Sequence, residues 1–109
     1  MIKPEQEVKI LQQHIDQTFQ RRPNTIYRLW IVRDRFDQSV NFFMLIQPKF
    51  RRPHSIPLHM VLTLDLDIIE TIIAQIRHQY HLTMIFVGFE GLRWPTSQQL
   101  IQSHTVVKP

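Results

Sequence analysis

Val8, Leu11, Ile15 and Phe19 recur at spacings of three and four, which places them on one face of a helix predicted over residues 4–20. Pro4 suits the first helical position, and Glu5 and Glu7 suit the positive end of the dipole. Arg21 and Arg22 suit the negative end, and Pro23 stops the helix. Residues 25–33 and 40–47 are rich in β-branched and aromatic side chains and predict two strands joined as a hairpin by residues 34–39. Apolar residues fall on both faces of these strands (Tyr27, Leu29 and Ile31 against Ile26, Trp30 and Val32), which predicts at least partial cover on each side.

Residues 48–57 contain three prolines and are expected to be irregular. Residues 58–64 then alternate, with Leu58, Met60, Leu62 and Leu64 on one face and His59, Val61 and Thr63 on the other. Asp67 is the expected N-cap of a second helix over residues 68–80, with Glu70 completing a capping box and Ile69, Ile72, Ile73, Ile76 and Tyr80 forming the apolar stripe. Residues 82–89 are almost continuously apolar, as in a buried strand. Strand, helix and strand together suggest a βαβ crossover. Residues 95–103 suggest a short final helix, and residues 105–109 a tail.

The fold expected is therefore α+β, of order α-β-β-β-α-β-α, with a mixed four-stranded sheet, a C-terminal βαβ unit and helices packed on it, in one domain over residues 1–104. Val8, Leu11, Ile15, Ile69, Ile72, Ile73, Ile76, Ile85 and Val87 are its expected core. The element order is similar to the core of the PD-(D/E)xK nucleases and also to that of dimeric type III secretion chaperones. Shared by two unrelated functions, it does not choose between them.

Composition narrows the setting. A chain of 109 residues buries enough surface to hold a core without staples. It has no Cys, which excludes disulfides and thiolate zinc sites and fits a reducing cytoplasm. No stretch is long and apolar enough for a signal peptide or a membrane span, so no membrane association is expected. Glycine occurs only at Gly88 and Gly91, too few for a glycine-rich phosphate loop, and no cofactor is expected. Net charge is +4, unevenly spread. Residues 21–59 carry eight basic and two acidic groups, a local charge of +6, and the remainder is −2. Such asymmetry points to a polyanionic partner.

Three constellations carry candidate chemistry. If the third and fourth strands run parallel, Asp65, Asp67 and Glu90 gather at their C-terminal ends, where a divalent cation could sit. Capping explains Asp67 without a metal, however. The nuclease pattern also fails where it is most specific: His59-Met60-Val61 stands where (D/E)-x-K is needed. The histidine pairs His78/His81 and His54/His59 lack neighbouring ligands, so no metal site is assigned. Nucleophilic catalysis has no visible motif.

The third constellation is basic and aromatic. Arg21, Arg22, Arg33, Arg35, Phe36, Lys49, Phe50, Arg51 and Arg52 are the expected binding residues, interleaved with Arg28, Tyr27 and Trp30. Guanidinium groups pair with phosphate and exposed rings stack on bases, although the same residues anchor protein interfaces. The proline-rich loop and the hairpin loop are expected to form one surface. The chain thus reads as a small non-enzymatic binding protein, with nucleic acid or an acidic protein surface as partner. The alternative is a homodimeric adaptor, chaperone or inhibitor, with Trp30, Phe42 or Phe43 in its two-fold interface; a metal-dependent phosphodiesterase comes third.

Overall fold

The computed structural model describes residues 2–19 and 22–102, and the backbone of residues 104–105. The first helix, α1 (Pro4–Thr18), starts at the expected proline and buries Val8, Leu11 and Ile15. It stops two residues short of expectation, because Phe19 turns extended and lays its ring against Tyr27, 4.8 Å between centroids.

Strands β1 (Thr25–Asp34) and β2 (Ser39–Pro48) form an antiparallel ladder from Thr25↔Pro48 to Asp34↔Ser39. The Asp34 carboxylate closes the hairpin by accepting from the Phe36 and Asp37 amides. The next strand, β3 (His54–Val61), corrects the sequence reading on both bounds. It takes in Pro57, and it ends before Leu62 and Leu64. An edge strand tolerates a proline, and a bulge opposite Phe42 and Phe43 absorbs it. The bulge also breaks the expected alternation: Leu58 and Val61 are buried, whereas Met60 and Leu62 are exposed.

Helix α2 (Leu66–Gln79) starts earlier than expected. Its N-cap is Asp65, whose side chain accepts from the Asp67 amide, and not Asp67. Ile69, Ile72, Ile73 and Ile76 are buried as expected. The remaining strands are β4 (Thr83–Val87) and the two-residue β5 (His104–Thr105).

The sheet is mixed, in the order β3-β2-β1-β4-β5, with β1 and β4 parallel and the other neighbours antiparallel. The expected four main strands and two helices are present, with β5 as a short fifth strand. Helix α2 joins β3 to β4 as expected, but β2 and β1 lie between those two strands. The segment after Pro95 is not the expected helix. It is a turn closed by an antiparallel bridge between Arg93 and Leu100.

Both helices share one core with Leu29, Ile31, Phe42, Met44, Leu58, Met84 and Phe86. Residues 89–101 join the same side through Phe89, Trp94 and Ile101, with Trp94 5.6 Å from Phe86 ring to ring. Two histidines fasten α1 to β3: His59 pairs with Glu7, and the His14 Nδ1–H donates to the Leu58 carbonyl. Among the described residues nothing covers the other face, so the expectation of cover on both sides fails. For the same reason Ile85 and Val87, expected in the core, lie on the uncovered face; Phe42 lies in the core and not at a surface.

Candidate cationic cleft

At the end of the molecule where β1 begins and β2 ends, the sheet reaches past the last turn of α1. Tyr27, Ile46 and Ile56 point to the helix side there and form a floor that α1 does not cover. Gln17 and Thr18 supply one wall, and residues 48–54 the opposite rim. The rim is held by two short-range features. The Lys49 amide donates to the Asn24 carbonyl at 2.8 Å, and Asn24 sits in the left-handed region at φ 57. The cleft is open to solvent and has a volume of about 820 Å³.

Arg22, Lys49, Arg51, Arg52 and His54 line this cavity, and among the described residues no carboxylate does. Lys49 lies over the Phe50 ring, 5.4 Å from its centroid, and Phe50 is 84% exposed. The C-terminus of α1 brings a partial negative charge of about −0.5, which fades within a turn. Four permanent cations outweigh it. Both threonine hydroxyls of the lining are engaged with the backbone, Thr18 with His14 and Thr25 with Pro23. The lining therefore offers phosphate-binding groups around an apolar, ring-bearing floor.

The binding residues named from sequence divide between two places. Arg22, Lys49, Phe50, Arg51 and Arg52 come together at the cleft; Arg21 lies outside the described residues. Arg33, Arg35 and Phe36 lie at the opposite end of the ladder, so the single surface expected from the two loops does not form. Nine steps along β1 separate the ends by about 30 Å, and β3 leaves the proline-rich loop at once, giving it no length to fold back. The hairpin end is also electrically balanced. Its smaller pocket brings Arg33 and Arg35 together with Asp34 and Glu90. Arg28 faces the uncovered side, where its guanidinium donates to the Gln47 side-chain carbonyl.

Sequence reading did not single out Ile46, Ile56 and His54 as lining, and treated Tyr27 only as one ring among several. The available signal was parity: Tyr27 and Ile46 share the helix-facing side with Leu29 and Met44 but lie beyond the end of α1.

The carboxylate constellation does not assemble. Asp65 and Glu90 follow strands separated by β2 and β1, three strand spacings or about 14 Å. Among the described residues no group of three metal-ligating side chains converges. Among the described residues no helix is long and apolar enough to cross a membrane. No protein-family model matches the chain, and neither a curated protein nor a solved structure resembles it.

Proposed function

We propose that the protein binds nucleic acid through the cationic cleft, as a non-enzymatic binding module in a cytoplasmic setting. The observation that carries this reading is the convergence of Arg22, Lys49, Arg51 and Arg52 on one cavity that contains no carboxylate. Phosphate groups sit at the rim, where guanidinium groups offer paired donors. The apolar floor favours an unpaired strand over a duplex, because only an unpaired base can leave its stack to lie against Tyr27 or Phe50.

Fluorescence anisotropy with labelled single-stranded and duplex oligonucleotides of equal length tests this. Log affinity should fall with log salt by about 0.7 per phosphate contact on a single strand, so three contacts give a slope near −2. Absence of binding to both at low salt would exclude nucleic acid as the ligand. A second reading, a homodimeric protein-binding module, is favoured by a separate observation: the uncovered apolar face of the sheet.

A further inference from the structure

The strand registers place Pro57, Phe43, Trp30 and Ile85 in one row across β3, β2, β1 and β4, on the side away from the helices. The Trp30 and Phe43 rings lie 6.2 Å apart at the centre of this row. The rows on either side add Val32, Leu45, Val87 and Met60, of which Val87 is 37% and Met60 46% exposed. The three rows hold no carboxylate and a single charge, Arg28, already engaged by Gln47. Both helices and residues 89–101 pack on the opposite side.

We infer that this face docks against the same face of a second copy of the chain, across a two-fold axis. Charge narrows the occupant. A polyanion would meet one cation, already hydrogen-bonded, on an otherwise apolar surface. A charged protein surface would bury unpaired groups against Trp30 and Phe43, at a cost of several kcal/mol per ion. A largely apolar sheet whose one cation is already hydrogen-bonded fits, and the chain itself carries one. Two such sheets stack about 10 Å apart within about 30° of alignment, giving a helix–sheet–sheet–helix sandwich.

Area is sufficient for a modest dimer. The four strands comprise ten, ten, eight and five residues. At about 3.3 Å by 4.8 Å per residue they cover roughly 500 Å² in plan. Corrugation by side chains raises the accessible area above that figure, to the small end of specific interfaces, which begins near 600 Å² per partner. An interface of this size fits a reversible dimer. The cleft opens on the helix side of the sheet, so dimerisation leaves it free, and this inference stands apart from the nucleic-acid reading.

Sedimentation equilibrium of the full chain, from micromolar to near-millimolar concentration, tests it. Wild type should dimerise. The double variant Val87→Lys with Met60→Lys sets like charges across the two-fold axis at exposed positions. It should weaken association at least tenfold while far-UV circular dichroism and melting temperature stay unchanged. If that variant unfolds, Thr83→Lys, at a polar position of the same face, repeats the comparison. A wild type that stays monomeric throughout overturns the inference and leaves the face to a different protein. A folded variant that dimerises as tightly as wild type overturns it too, because the dimer would then use another surface.

Discussion

Phe36 and Phe50, the two most exposed aromatic side chains among the described residues at 99% and 84%, stand at opposite ends of the β1–β2 ladder. Each is flanked by arginine, yet only Phe50 borders a cavity free of carboxylates. The two basic segments should therefore be separable by mutation. Arg51→Ala with Arg52→Ala should reduce affinity for single-stranded oligonucleotide and lower the salt slope by about 1.4, with stability within about 0.5 kcal/mol of wild type. Arg35→Ala with Phe36→Ala should leave affinity within twofold. Equal losses from the two pairs, measured by anisotropy at several salt concentrations, would show that the ligand does not select the cleft.

The start of α2 offers a sharper structural test. Asp65 accepts from the Asp67 amide at 2.9 Å and is itself positioned by Thr63, whose hydroxyl accepts from the Asp65 amide. Asp65→Ala should cost about 1 kcal/mol through loss of the cap. Asp67→Ala, which removes only a charge near the helix N-terminus, should cost a few tenths to about 1 kcal/mol at most. Urea denaturation of both variants decides the order, and a larger loss at Asp67 would place the cap there.

Gly88 and Gly91 both have positive φ, at 86° and 80°, but only one is crowded. A Cβ at Gly88 would lie 2.7 Å from the Arg33 carbonyl oxygen, whereas nothing lies within 4 Å of one at Gly91. Gly91→Ala should cost about 1–2 kcal/mol from the left-handed backbone alone. Gly88→Ala adds a backbone clash between the ends of β1 and β4 and should cost more, about 3 kcal/mol. Thermal or chemical unfolding of the pair checks the difference, and equal losses would contradict the close approach.

Tyr80 caps the C-terminal end of α2, and its hydroxyl donates to the Asp16 carboxylate of α1 at 2.6 Å. Burial first, and then the hydrogen bond and negative charge of Asp16, push the phenol up from 10.0 to about 12. The folded state thus holds this proton more tightly than the unfolded chain. The contribution to stability is complete below pH 10 and is lost as pH rises towards 12. Tyr80→Phe should destabilise by about 1 kcal/mol at neutral pH, and the gap from wild type should close between pH 10 and 12. A gap that stays unchanged at pH 12 would show that ionisation of the Tyr80 hydroxyl is not linked to folding.

Local chemistry was enough to place α1, the β1–β2 hairpin and α2, because each depends on periodicity and stop signals within its own segment. Pro4 and the isoleucine stripe of α2 are such signals. The start of β3 was not legible, because Pro57 reads as a breaker until an edge position and a bulge make room for it. Asp65 lost the cap to Asp67 in the sequence reading because both are good N-caps two residues apart, and only the path of the chain out of β3 decides between them.

The basic residues of the proline-rich loop were identifiable from charge, and their clustering survives in the cleft. Which other residues join them was settled by strand pairing. Ile46 and Tyr27 are partners across the ladder, and both line the cleft beside the last turn of α1. The separation of Arg33 and Arg35 from Lys49, Arg51 and Arg52 is likewise a property of register, since a ladder of ten residues holds its two ends apart whatever the charges on them. The uncovered face has the same origin. Alternation marks Trp30, Phe43 and Ile85 as apolar, but burial depends on where the helices come to rest. With α1 and α2 on one side of the sheet, long-range packing left the other side bare.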